Sequence, residues 1–411
     1  MGMTMRFAGL VCVVMAAALG LSCEALAKPA PIWVPAWYAA PAPSSASDAV
    51  ITDQTVRQIV HVTAGGKSVR IRLSNAYGTA PLHFDKVRIA RRSSGNSVMP
   101  GSAPLTFQGA ADVTVAPGAY VISDPLVFNV PGNSDLAVSL YAAGPAKLST
   151  MHLTQRNAIY YASGDMTEAA SLTPVAAPST GSAGVWLSEV EVTALPTHQT
   201  IVAFGDSITD GAELPADGNT GWPNVLAARL KAAGEDISVV NAGITGNRLL
   251  HNGSWAPFGV AGLARFDSDV LAQPNVKAVI VLLGINDIGQ VGQGGAMQDY
   301  VSPRAIEDGL AQLAARAHAR SIRIYVGTLT PFKETTIKDY YSPDKDVARQ
   351  AVNAWIRSST VFDGVVDFDK VLEDPATPGS MRSAYDSGDH LHPGAAGDKA
   401  MGEAIPLSWF K

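Results

Sequence analysis

The sequence predicts an all-β domain followed by an α/β domain with a mainly parallel sheet. Three observations carry this reading. From about Ala30 to Leu195 apolar and polar residues alternate in short runs, the pattern of half-buried strands. Thr200 to Phe204 and Val276 to Leu283 are nearly unbroken apolar runs, as expected of parallel strands buried on both faces. Between such runs lie amphipathic segments, the clearest placing Ile306, Leu310, Leu313 and Ala317 on one helical face at steps of four, three and four. At 411 residues the chain also exceeds what a single hydrophobic core usually serves.

Taken from the start, Arg6 precedes an apolar stretch from Phe7 to Leu21 that ends near Ala25-Leu26-Ala27. This has the outline of a secretory signal peptide over residues 1–27, cleaved after Ala27. The run is shorter than the roughly 20 residues that cross a bilayer, so a secreted or periplasmic protein without a stable membrane span is expected. Cys23 also raises a lipoprotein site, although Gly20-Leu21-Ser22 fits the small-residue box poorly. Both cysteines, Cys12 and Cys23, fall in this segment, so the processed chain would have neither disulfides nor a catalytic thiolate.

The β-rich region, residues 30–195, contains Val69-Arg70-Ile71-Arg72-Leu73, Val87-Arg88-Ile89, Leu136 to Leu140 and Val190-Glu191-Val192 as strands. Gly65-Gly66, Ala116-Pro117-Gly118 and Pro131-Gly132-Asn133 supply turns between them. Many short strands with frequent turns indicate a β-sandwich of jelly-roll-like type. Pro196 and residues 197–200 read as a short linker, and the α/β domain occupies 200–411. A formal net charge of −6 with 47% hydrophobic and 16% charged residues describes a globular chain without the basic footprint of a nucleic-acid or anionic-lipid binder.

Four short blocks carry candidate chemistry, and three directly follow an apolar strand, at the carboxyl ends where α/β sheets gather their sites. Gly205-Asp206-Ser207-Ile208-Thr209-Asp210-Gly211 places a serine on a turn into a helix; a plain helix cap is the structural alternative. It is not the G-x-S-x-G elbow, since Thr209 holds the second glycine position. Asn241-Ala242-Gly243-Ile244-Thr245-Gly246-Asn247 follows the strand Ile237 to Val240, and its Gly246 N–H is a candidate donor to an oxyanion. In Gly284-Ile285-Asn286-Asp287 the Asn286 amide, neutral and with two donors, suits the same task; an Asx-turn or cap is the alternative. Near the C-terminus, Asp386-Ser387-Gly388-Asp389-His390-Leu391-His392-Pro393 offers His392 as a base and Asp389, three residues earlier, to orient it. His390 reads as a surface or packing residue, and no third clustered ligand supports a metal site.

In this order the blocks resemble the SGNH superfamily of hydrolases, also called GDSL esterases and lipases. The resemblance covers roughly Thr200 to the C-terminus and carries the family's nucleophilic serine onto Ser207, its block-two glycine onto Gly246, its block-three asparagine onto Asn286, its aspartate onto Asp389 and its histidine onto His392. It implies a three-layer α/β/α, flavodoxin-like sandwich with a five-stranded parallel sheet, and ester cleavage through an acyl-enzyme without metal or cofactor. The oxyanion would lie among the N–H groups of Ser207 and Gly246 and the Asn286 amide. The preceding β-rich domain, with Trp33 and Trp37 near its start, resembles that of an extracellular branch similar to acetylxylan esterases; this second match rests on Gly246-Asn247-Arg248-Leu249-Leu250, Ala264-Arg265-Phe266-Asp267 and Gly284-Ile285-Asn286-Asp287-Ile288-Gly289 in the α/β domain.

The expected activity is therefore hydrolysis of short-acyl, acetyl-type esters on carbohydrate, with acetylated polysaccharide as a partner. An acyltransferase, a lipase or arylesterase of the same superfamily, and a non-catalytic carbohydrate-binding protein stay open as alternatives. Trp255 and Phe258 lie close in sequence to the glycine block and serve either a sugar ring or simple packing.

Overall fold

A computed structural model describes residues 1–2, 30–45, 49–178, 183–293 and 299–411. Apart from its first two residues, the segment expected to be a signal peptide lies outside the described residues. Among the described residues no helix is long and apolar enough to cross a membrane.

The β-rich region is built on two antiparallel sheets. One runs Ile32–Tyr38, Leu187–Ala194, Gly66–Ser74 and Tyr120–Ile122, with Leu126–Val130 also on Gly66–Ser74; the other runs Ile159–Ser163, Gln54–Val62, Ser134–Ala142, Lys86–Ser94 and Ser97–Val98, with Ala103–Pro104 on Lys86–Ser94. Alternation decides which face is buried. In Gly66–Ser74, Val69, Ile71 and Leu73 enter an apolar cluster that also receives Val56, Val60, Val138 and Leu140 from the other sheet. Arg70 and Arg72 point the other way and pair across the strands with Glu191 and Glu189, so charge stays off the apolar face.

The second region holds a five-stranded parallel sheet in the order Ile237–Gly243, Gln199–Gly205, Val276–Leu282, Arg323–Gly327, Gly364–Val366. Its strands are apolar on both faces because helices cover both. Val202, Phe204, Val279 and Val281 pack with Ile306, Leu310 and Leu313 of Pro303–His318 and with Val352 and Ile356 of Pro343–Ser358. Ile201, Ala203, Ala278 and Ile280 pack with Trp222, Leu226 and Leu230 of Trp222–Ala232 and Met401 of Ala395–Ala404. The strand Gln199–Gly205 is flanked by the two that follow it in sequence, so the chain first moves to one side of it and then crosses back to the other, which makes its carboxyl end the kind of switch point where such sheets place their sites.

The stretch read as a linker is folded into the structure. The strand begins at Gln199, and His198 is buried with Nδ1 2.7 Å from Asp236 Oδ1. The two regions also touch directly: the Thr63 hydroxyl donates to Val239 O at 3.0 Å and accepts from Val239 N at 3.3 Å, and Tyr38 donates to Asp269 at 2.9 Å.

Candidate active site

Strand Gln199–Gly205 ends in a turn that only glycine fits, since a Cβ on Gly205 would stand 2.5 Å from Leu282 O and 2.2 Å from the Thr209 hydroxyl. The chain then enters the one-turn helix Ser207–Asp210, capped by Asp206, whose side chain accepts from Ile208 N at 3.1 Å. Capping thus falls to Asp206, which leaves the Ser207 side chain for another partner. Burial raises the Asp206 carboxyl to about 7, against the Ile208 N–H and the neighbouring His392 and Arg265.

That partner is His392. Its Nε2 lies 2.8 Å from Ser207 Oγ, and both residues are buried, at 8% and 5% exposure. On the other side of the ring Nδ1 is 2.5 Å from Asp389 Oδ2. Asp389 Oδ1 accepts from the backbone N–H groups of Leu391 at 2.9 Å and His392 at 2.8 Å and from the Ser387 hydroxyl at 3.1 Å. Partial burial raises the Asp389 carboxyl, but the His392 ring and these two amides outweigh it and hold it well below the usual carboxylate range. An ionised Asp389 accepts the Nδ1 proton, so Nε2 is the acceptor left for the serine hydroxyl. His390 is exposed and bonded to Asp386.

Gly246 and Asn286 form the other side of the site. Gly246 has φ +75, and a Cβ there would lie 2.3 Å from the Phe258 ring, so its glycine is a steric necessity. Asn286 sits in the helix Ile285–Gly289, which follows Val276–Leu282, and is 4% exposed. Its Oδ1 accepts from Tyr340 OH at 2.8 Å and Gln290 Nε2 at 3.1 Å, which fixes the amide's orientation. One Nδ2 hydrogen goes to Asn247 O at 3.1 Å, and an amide nitrogen carries a second. Gln290 also donates to Gly246 O at 2.8 Å and so ties the two blocks together. Among the described residues neither the Ser207 nor the Gly246 N–H donates to a protein acceptor.

Several residues that hold this arrangement were not singled out for it in the sequence. Asp287, with its carboxyl raised to about 6 by burial, accepts from Leu249 N at 2.6 Å and Leu250 N at 2.9 Å. Arg265 is buried and donates to Gly205 O and Ala242 O at 2.7 Å each and to Asn247 Oδ1 and Asp269 Oδ2 at 2.9 Å each. Tyr340 reaches Asn286 from 54 residues away. Trp255 is 45% exposed and stands edge-on to Phe258 at 5.4 Å, so packing engages Phe258 more than Trp255. The constellation can perform nucleophilic acyl chemistry: a hydroxyl, a base in one tautomer, and unpaired donors nearby.

Residues 203–400 match the GDSL-like Lipase/Acylhydrolase family. The chain is 32% identical over 138 residues to Esterase TesA of Pseudomonas aeruginosa, covering 34% of this chain and 58% of that protein, so it spans a little over half of that relative's length. Among solved structures, half of the chain is similar to the lipase/acylhydrolase from Enterococcus faecalis, with 19% identity, 93% of that chain covered and a TM-score of 0.39. Half is likewise similar to a member of the lipolytic protein G-D-S-L family from Veillonella parvula, with 19% identity, 95% covered and a TM-score of 0.37.

Proposed function

We propose, from the match of residues 203–400 to the GDSL-like lipase/acylhydrolase family, that the chain is a serine esterase of that kind, with Ser207 as nucleophile, His392 as base and Asp389 as the group that orients it. The observation that carries the reading is the unbroken hydrogen-bonded path from Ser207 Oγ through His392 to Asp389.

In the proposed cycle His392 Nε2 takes the Ser207 proton as Oγ bonds to the ester carbonyl carbon, and the carbonyl electron pair moves onto oxygen. Donors for that oxyanion are the N–H groups of Ser207 and Gly246 and the free Nδ2 hydrogen of Asn286. Collapse of the intermediate breaks the bond to the alcohol, which leaves with the proton from His392. Water then repeats the sequence on the acyl-enzyme and releases the acid.

For substrate we infer short-acyl esters, acetyl groups on carbohydrate above all, with acetylated polysaccharide as the natural partner. Support comes from Trp255, an exposed aromatic face beside the ring that packs on Gly246, because flat aromatic surfaces suit the apolar faces of sugars. In this reading the β-rich region is a jelly-roll-like sandwich and the protein acts after export, secreted or in the periplasm.

Hydrolysis of p-nitrophenyl acetate by the wild type and by Ser207→Ala tests the chemistry. The variant should form no acyl-enzyme, and a wild-type rate from it would end the assignment. Acetate release from acetylated xylan, set against p-nitrophenyl esters of increasing chain length, tests the substrate class; preference for long chains would argue against acetyl carbohydrate.

A further inference from the structure

Two side chains of the β-rich region reach the loops that build the site. His152 ends the strand Thr150–His152 and is 8% exposed. Its Nδ1 lies 3.1 Å from Ala40 O and its Nε2 2.9 Å from Asp210 Oδ1. A peptide oxygen and a carboxylate only accept, so a ring that serves both carries a proton on each nitrogen. Burial disfavours that charged ring, but the Asp210 carboxylate and the Ala40 carbonyl outweigh burial and move its titration above the ordinary histidine value.

Asp210 closes the one-turn helix that begins with Ser207. Its second oxygen, Oδ2, accepts from Thr245 N at 2.9 Å and Thr245 Oγ1 at 2.8 Å. Having given its hydrogen to Asp210, the Thr245 hydroxyl accepts from Thr154 Oγ1 at 2.6 Å. His152 and Thr154 therefore converge on the residue whose peptide bond carries the Gly246 N–H. Below it, Gly243 closes the approach, since a Cβ there would stand 2.4 Å from Asp210 N.

We propose that His152 is a positioning residue which, through Asp210, holds Thr245 so that the Gly246 N–H faces the developing oxyanion. The proposal rests on the reading of Gly246 as an oxyanion donor. It makes the β-rich region a working part of the catalytic centre, in addition to anything it binds. His152 touches no reacting atom and acts only through the carboxylate it neutralises.

The test uses the full chain with p-nitrophenyl acetate, comparing His152→Ala, Asp210→Ala, the double variant and Asn286→Ala as a reference. Catalytic centres are counted by end-point labelling with a fluorophosphonate, so that loss of folded protein is separated from loss of rate per centre. His152→Ala should lower kcat per centre by about 10- to 100-fold, the range set by misplacing or losing one oxyanion donor. KM should stay within about twofold, as for an interaction made only in the transition state. The double variant should be no worse than Asp210→Ala, because the two act as one unit. If the His152 variants do not fold, Thr245→Val removes the hydroxyl contacts and leaves the ion pair in place, with a fall in kcat per centre again expected. An unchanged kcat per centre in folded His152→Ala, or in Thr245→Val where that variant is needed, while Asn286→Ala is crippled, overturns the role of His152 alone. A wild type without esterase activity, or an unimpaired Asn286→Ala, removes the oxyanion assignment and this proposal with it.

Discussion

His392 Nε2 and Ser207 Oγ stand 2.8 Å apart although 185 positions separate them in the chain. His392→Ala should therefore lower kcat by about 10^6-fold, the scale seen when a base that works as a unit with its nucleophile is lost. Asp389→Asn keeps the shape but allows the wrong tautomer, and should lower kcat by about 10^4-fold. Steady-state kinetics with p-nitrophenyl acetate measures both, and circular dichroism should find both variants folded.

Tyr340→Phe removes one of the two donors on Asn286 Oδ1. The amide loses part of its orientation, and kcat should fall by about 3- to 30-fold, less than the loss of roughly 10^2 to 10^3 expected of Asn286→Ala. Stability should drop by about 1 kcal/mol, as for a hydrogen bond between neutral groups. Parallel kinetics and urea titrations of the two variants check the ordering.

Gly246→Ala would drive a methyl into the Phe258 ring at a positive φ. We expect a loss of about 1–3 kcal/mol of stability together with reduced kcat. Gly246→Ala combined with Phe258→Leu should recover part of the stability by making room, and thermal melts of the single and double variants measure this.

Asp206 gives a pH signature. Its carboxyl is raised to about 7 when folded, so between the ordinary carboxylate range and pH 7 the folded chain binds more protons than the unfolded one, and this group makes stability fall as pH rises. Asp389 has the opposite sign, and its contribution is present above the ordinary carboxylate range and lost only in stronger acid. Asp206→Asn should therefore gain on the wild type by about 4 kcal/mol between pH 4 and pH 8. Melts at the two pH values show it, and a constant difference would count against the raised carboxyl.

Local pattern made much of the fold legible. The apolar runs at Thr200 to Phe204 and Val276 to Leu283 are strands to within a residue or so, and Ile306, Leu310, Leu313 and Ala317 are the buried stripe of Pro303–His318. The candidate site was readable because each of its residues sits in a short block with its own turn chemistry. Residues that hold the blocks together left no such trace. Asp210 lay inside the first block, but its partner His152 is 58 positions away on a strand of another sheet, and no periodicity connects them. Tyr340 and Gln290 look like any surface tyrosine and glutamine until the fold aims both at one amide oxygen. The supposed linker misled for a related reason: residues 197–200 are polar, yet His198 is bonded into the structure through Asp236.

The single hydroxyl of Thr63 that takes up both backbone groups of Val239 bears on solubility. Ile237–Gly243 is a seven-residue strand at the rim of the parallel sheet, and an unguarded rim of that length is a template on which another chain can add. The opposite rim, Gly364–Val366, is only three residues long. The N-terminal half thus shields the longer margin of this sheet, and cutting it away would favour aggregates over a smaller soluble domain.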